Sequence, residues 1–272
     1  MNQPGGEQQQ TFGGPLLQDK VAVITGAGSG IGRAAALRFA GSGAHVCLLD
    51  LKNDRTEQVE EEIRGMGREA LFCDVDVANP QRVEQAIRSA AERFGRIDIV
   101  FANAGINGTL APIEDLTPED WDKTLTTNLK GTFLTVKYAI PHMKQAGGSI
   151  IVTSSVNGSR VFSNFGMTAY SASKAGQIAF AKMAALELAR YKIRVNVICP
   201  GAVETNIGEN THPTQAVERI RIPVEYPEGG QPLEHRPAKP EQVADLVLFL
   251  ASEQSSHISG TEVFIDGAET LL

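Results

Sequence analysis

Cysteine, histidine, tryptophan and net positive charge are all scarce in this sequence, and each scarcity removes a class of function. Cys47, Cys73 and Cys199 are the only cysteines, odd in number and far apart in the chain, so no disulfide framework is available; buried free thiols in a reducing compartment are expected. The five histidines, at 45, 142, 212, 235 and 257, include no pair with metal-ligand spacing. Lys plus Arg number 25 against 32 Asp plus Glu, a formal charge of −7, which leaves no electrostatic footprint for nucleic acid. No apolar run approaches the roughly 18 residues that a membrane span needs. The N-terminal string MNQPGGEQQQTFGGP has neither the basic nor the apolar region of a secretory signal. A soluble cytoplasmic protein that contacts neither nucleic acid nor membrane is expected.

What is present is globular: 42% hydrophobic and 21% charged residues over 272 positions. Residues 1–15 read as a flexible arm and 16–272 as one domain. Short β-branched runs alternate with helical stretches: VAVIT at 21–25, AHVCLLD at 44–50, EALFCDV at 69–75, IDIVFA at 97–102, SIIVTSS at 149–155, IRVNVIC at 193–199 and EVFID at 262–266. Successive apolar positions, rather than alternate ones, predict strands buried on both faces. Helices are expected near 30–42, 54–66, 80–94, 118–145, 169–191 and 240–252, with caps at Asn79–Pro80 and Thr117–Pro118 and endings at Gly43, Gly65, Gly95 and Gly147. Strand and helix in alternation predict a doubly wound α/β Rossmann fold with a seven-stranded parallel sheet covered on both sides. Residues 202–239 break this rhythm and read as a lid or substrate loop.

TGAGSGIG at 25–32 lies between the first strand and the first helix. It does not fit G-x-G-x-x-G, because Ile31 stands where the last glycine belongs; it fits T-G-x-x-x-G-x-G through Thr25, Gly26, Gly30 and Gly32. Such a loop lets a pyrophosphate approach the backbone and the helix N-terminus. Asp50, eighteen residues after Gly32 at the end of the second strand, is placed to accept the adenosine ribose hydroxyls and to repel a 2′-phosphate, which favours NAD. Ser29 adds no charge for such a phosphate, whereas Arg33 and Lys52 are near enough to offer one.

Tyr170 and Lys174 stand four residues apart near the start of a helix and so share a face. A phenol ionises near pH 10, and lowering that by about two units costs about 2.7 kcal/mol. An ammonium about 4 Å away supplies up to about 4 kcal/mol at an effective dielectric near 20. The amine is therefore expected to make the phenol a usable acid/base.

With these motifs together, the sequence from about 18 to 272 resembles the short-chain dehydrogenase/reductase family, in its compact single-domain subgroup. Asn103-Ala104-Gly105 resembles its N-A-G signature, and Asp74-Val75 its adenine-contacting pair. Asn128 in TTNLKG resembles its active-site asparagine, and Pro200-Gly201 with Val203 and Thr205 the segment beside the nicotinamide. Ile31 completes the phosphate loop. The resemblance implies a catalytic group of Asn128, Ser155, Tyr170 and Lys174. In it Tyr170 exchanges the proton, Ser155 holds the substrate oxygen, Lys174 binds the nicotinamide ribose and Asn128 anchors a relay water. Tyr170 and Lys174 thus also belong to the cofactor set. The resemblance further implies a homotetramer built through the helices at 118–145 and 169–191 and the end GAETLL.

Ser155 to Tyr170 spans fifteen positions, two more than the family's usual spacing, which reads as an insertion within RVFSNFGMT at 160–168. Phe162 and Phe165 on that loop are expected beside the substrate cavity. Ser154, Ser159 and Ser163 are set aside as catalytic candidates, Ser154 because neighbouring strand residues face opposite sides.

The leading expectation is an NAD(H)-dependent enzyme interconverting a secondary alcohol and a ketone. Alternatives are an NADP(H)-dependent ketoreductase of the oxoacyl-reductase type and a non-catalytic dinucleotide sensor. A sugar-nucleotide epimerase or dehydratase fits the glycine pattern poorly. Asn206, Glu209, His212, Glu218, Arg221, Tyr226 and His235 in the 202–239 segment leave a sugar alcohol, an oxoacyl thioester, a cyclic diol and a steroid open as substrates.

Overall fold

A computed structural model describes residues 15–51, 54–223, 226 and 229–272. Nearly all of the expected N-terminal arm, and Lys52, lie outside the described residues. The main sheet is built from β1 (Val21–Thr25), β2 (His45–Asp50), β3 (Ala70–Asp74), β4 (Ile99–Ala102), β6 (Gly148–Thr153), β7 (Ile193–Pro200) and β9 (Glu262–Ile265). All seven run parallel in the order β3-β2-β1-β4-β6-β7-β9, matching the seven expected runs. Two further three-residue strands, β5 (Gly108–Leu110) and β8 (Thr211–Pro213), pair with each other outside it and were not signalled by composition.

Every residue of β1 is buried, and its side chains divide between two cores. Ala22 and Ile24 meet α1 (Gly30–Gly41), α2 (Asp54–Gly65) and α7 (Pro240–Ala251). Val23 faces the opposite layer of α3 (Pro80–Phe94), α5 (Gly131–Met143) and α6 (Thr168–Leu188). This two-sided burial is why the strands read as continuous apolar runs. The crossovers from β1 and β4 leave in opposite directions, so a crevice opens at the carboxyl ends of those two neighbouring strands, where doubly wound sheets bind ligands.

Local signals hold at most helix ends. Asn79 accepts a hydrogen bond from the Arg82 amide at 3.1 Å ahead of Pro80, and Thr117 from the Asp120 amide at 3.1 Å ahead of α4 (Pro118–Leu125). Gly43, Gly95 and Gly147 take positive φ as expected; Gly65 ends α2 as expected but without positive φ, and Gly67 makes the left-handed turn after it. The single helix expected over 118–145 is divided by a wide turn at Thr126–Lys130 between α4 and α5. Its cause is Asn128, whose buried amide bonds inward to the Ile106 backbone.

The cysteines are free, and Cys47 and Cys73 stand on the adjacent strands β2 and β3. No described helix is long and apolar enough to cross a membrane.

Candidate active site

The carboxyl ends of the central strands open into a cleft of about 970 Å³. Its floor is the glycine loop. Gly30 has φ of +50°, in the region that favours glycine, and a Cβ on Gly32 would stand 1.9 Å from the Gly26 carbonyl oxygen. Only hydrogen fits there, so the chain can enter α1 with its first amides facing the cleft, a cradle suited to a pyrophosphate.

Asp50 closes one side. Its carboxylate accepts from the Gly28 amide at 2.7 Å and the Leu51 amide at 2.8 Å. Burial raises its carboxyl above the ordinary carboxylate range, opposed by those two amides. A carboxylate has about four acceptor sites, so it retains capacity for a diol in the groove. Arg33 is paired with Glu62 at 2.8 Å, and Arg55 with Glu209 at 3.0 Å across the cleft mouth. Arg33 and Arg55 therefore each already face a carboxylate.

Gly26, Ser29, Gly30, Ile31, Asp50, Val75, Asn103, Ala104, Gly105, Pro200, Gly201, Val203 and Thr205 all line the cleft, together with Ser155, Tyr170 and Lys174. Asp74 is the exception: it is exposed at the end of β3, and Asp76 and Val77 line the wall in its place. The Val75 amide is still bonded to the Asp50 carbonyl, so the chain turns inward only after it. Asn103 lines the wall and braces it. Its backbone amide and that of Ala104 both donate to the Thr25 hydroxyl, at 3.0 and 3.1 Å, and its side-chain oxygen accepts from the Thr153 hydroxyl at 3.0 Å. The ends of β1, β4 and β6 are tied by this one residue.

Tyr170 and Lys174 share the inner face of α6 and are buried at 8% and 3% exposure. The Lys174 ammonium donates to the Thr153 carbonyl at 2.9 Å and lies 5.5 Å from the centre of the Tyr170 ring. Ser155 stands beside the Tyr170 hydroxyl, where it acts to lower the phenol's pKa. Ser154 points the other way, donating to the Lys174 carbonyl at 2.9 Å, as strand alternation requires.

The charge arithmetic of this pair differs from the sequence expectation. Burial pushes Lys174 down to about 8, and burial raises Tyr170 above its ordinary range, with Ser155 opposing. As pH rises the amine loses its proton before the phenol does, and a neutral amine gives a phenolate no charge. In the protein alone, burial outweighs any lowering of Tyr170 by Lys174. Near neutrality the pair rests as phenol and ammonium, the proton-rich form.

Asn128 is also placed differently from expectation. It lines no part of the cleft, is fully buried, and spends its amide on Ile106 and on the Ser173 hydroxyl at 2.9 Å. Its carbonyl accepts from the Thr132 hydroxyl at 2.8 Å and from the Gln177 amide at 3.0 Å. Those bonds brace the backbone at Gly105–Ile106. Gln177 was not foreseen. The available signal was an amide one turn beyond Lys174, on the buried face that α6 continues with Ile178, Ala181, Ala184 and Leu188.

The loop before α6 reaches the cleft through Asn157, Asn164 and Met167, whereas Phe162 is 70% exposed and neither it nor Phe165 lines the cleft. Of the 202–239 candidates, Asn206 and Glu209 line the cleft; His212, Glu218, Arg221, Tyr226 and His235 do not. Pairing of β5 with β8 holds this segment over the site, helped by Asn107, which donates to the Thr211 hydroxyl at 2.9 Å. No group of side chains among the described residues could hold a metal ion.

Residues 26–268 match the family described as enoyl-(acyl carrier protein) reductase. A crystal structure of a 3-ketoacyl-ACP reductase from Sinorhizobium meliloti 1021 superposes with a TM-score of 0.89 at 48% identity, covering 92% of this chain and 99% of that one. A 3-oxoacyl-(acyl-carrier-protein) reductase of Thermotoga maritima is 39% identical over 92% of this chain and 98% of its own length. A trans-4-hydroxycyclohexanecarboxylate dehydrogenase of Sinomonas cyclohexanicum is also 39% identical, over 93% of this chain and 94% of its own.

Proposed function

The chain belongs to the short-chain dehydrogenase/reductase family, and from that premise we propose that it is an NAD(H)-dependent oxidoreductase interconverting a secondary alcohol and a ketone. The observation that carries this reading is the buried Tyr170–Lys174 pair, with Ser155 beside the phenol, in the same cleft as the glycine loop and Asp50.

The glycine loop would hold the pyrophosphate of NAD and Asp50 its adenosine ribose, with Val75, Asp76 and Val77 beside the adenine. Lys174 would hold the nicotinamide ribose, and Pro200, Gly201, Val203 and Thr205, which line the cleft, would lie beside the ring. When bound, the cofactor supplies a two-electron hydride acceptor or donor at the nicotinamide ring. The protein supplies the proton path and the positioning. Ser155 holds the substrate oxygen; Tyr170 gives its proton to that oxygen as a ketone is reduced and takes it back as an alcohol is oxidised. Lys174, charged near neutrality and tied to the Thr153 carbonyl, steadies the phenolate left behind.

The paired states of Arg33 and Arg55 support NAD over NADP, since a 2′-phosphate would have to displace Glu62 or Glu209 from them and settle beside Asp50. An NADP-linked ketoreductase is the second reading, favoured by the nearness of those same arginines. Initial rates on a panel of secondary alcohols and ketones with each cofactor test the reading. Turnover with NAD exceeding that with NADP is expected; preference for NADP would overturn the cofactor assignment.

We read residues 16–272 as one catalytic domain of a cytoplasmic protein. Exposed Phe133 on α5 and Met183 and Leu186 on α6 support assembly as a homotetramer, which sedimentation at about four times the 29.1 kDa chain mass would bear out.

A further inference from the structure

The substrate end of the cleft is walled by amides. Asn157 lies two residues after Ser155 and is 95% buried; its backbone amide donates to the Ser155 hydroxyl at 3.2 Å, and its side-chain oxygen lies 3.4 Å from that hydroxyl. The same side-chain oxygen accepts from Asn164 at 3.2 Å. Its side-chain nitrogen, by contrast, meets only the Met167 sulfur at 4.0 Å, a weak acceptor at the limit of reach. A buried amide donor therefore faces the cleft beside the group that holds the reacting oxygen, without a good acceptor of its own. Leaving such a donor unmet costs free energy, and a ligand oxygen that meets it recovers that cost.

Charge narrows the ligand further. No lysine or arginine lines this end of the cleft among the described residues, and Lys174 is committed to the catalytic pair. On the overlying segment Arg219 pairs with Asp115, Arg221 with Glu218 at 3.5 Å and Arg236 with Glu234 at 2.6 Å. Together with the chain's net charge of −7, this favours a neutral ligand over a carboxylate, a phosphate or an acidic carrier protein.

We infer that the substrate is a neutral vicinal diol, or the hydroxyketone it yields, with Ser155 holding the reacting oxygen and Asn157 donating to the oxygen on the adjacent carbon. The inference rests on the reading of Tyr170 and Ser155 given above and adds Asn157 as the specificity-determining residue. Asn164, from the longer loop before α6, sets the orientation of the Asn157 amide. In the forward direction the pair first gives up its resting proton to solvent; the carbinol carbon then loses a hydride to NAD and its hydroxyl proton to the Tyr170 phenolate, giving the hydroxyketone and NADH. The second oxygen is unchanged.

The test compares kcat/KM at saturating NAD for cyclohexane-1,2-diol, both isomers, against cyclohexanol, and measures reduction of an oxobutyryl thioester of N-acetylcysteamine. Because a site built around a hydrogen bond rejects an analogue lacking it, one isomer of the diol is expected to exceed cyclohexanol by on the order of 10²-fold. That ratio should fall to a few-fold in Asn157→Leu, and also in Asn157→Asp, which keeps the size of the side chain but lacks the donor. Equal or faster turnover of cyclohexanol or of the thioester, or a ratio that survives in both variants, overturns the inference while leaving the dehydrogenase reading intact. Failure to turn over any alcohol or ketone with either nicotinamide cofactor overturns that reading instead.

Discussion

Tyr170→Phe is expected to lower turnover by on the order of 10²- to 10⁴-fold in both directions, the usual range for loss of a positioned acid/base group. The substitution removes one hydroxyl and keeps the ring, which is buried and lines the cleft. Ser155 loses the neighbouring hydroxyl but keeps the Asn157 amide, so the strand end that presents it remains braced. Lys174 keeps its bond to the Thr153 carbonyl. Affinity for NADH, measured by fluorescence titration, should therefore barely change while kcat collapses. A variant that still turned over at a comparable rate would mean that another group moves the proton.

Asp50→Ala has the second largest expected effect, on the choice of cofactor rather than on chemistry. Hydrogen bonds to a charged group contribute about 1.5–3 kcal/mol, so losing them from the adenosine ribose should weaken NAD by roughly 10- to 150-fold in kcat/KM. NADP should lose less, because removal of the carboxylate also removes its repulsion of a 2′-phosphate, and the preference for NAD should narrow by a similar factor. The same carboxylate accepts from the Gly28 amide, so the alanine variant also loosens the glycine loop. Asp50→Asn separates the two effects: it keeps an acceptor for Gly28 but not the charge, and it should relax the preference with a smaller loss of NAD affinity. An unchanged ratio of NAD to NADP activity in both variants would remove Asp50 from the ribose site.

The sheet and the cofactor loop were legible in the sequence because both follow from local chemistry. VAVIT and its six counterparts are apolar at successive positions since each strand is covered on both faces, and TGAGSGIG needs glycine where no Cβ fits. Features set by distant contacts were not legible. Nothing in TTNLK signals a wide turn, because its cause is the Ile106 backbone more than twenty residues away. The pairing of β5 with β8 joins segments a hundred residues apart, each too short to show a period. Asp74 and Asp76 lie in near-identical local contexts, and only the length of β3 decides which reaches the cleft. The loop before α6 was recognised as longer than usual, but its phenylalanines suggested a cavity wall that Asn157, Asn164 and Met167 in fact provide.

The order in which Tyr170 and Lys174 lose their protons has a sign that kinetics can read. A buried pair resting as phenol and ammonium is ready to give a proton, which suits ketone reduction; alcohol oxidation needs the pair to have lost one, and Lys174 at about 8 is where that loss begins. The most direct measurement is kcat/KM against pH in both directions, which reports the groups of the enzyme before substrate binds. The account predicts that oxidation rises with pH up to about 8 and then levels, while reduction is level below about 8 and falls above it. Flat profiles from pH 7 to pH 9 in both directions, or breaks unmoved by Lys174→Met, would contradict it.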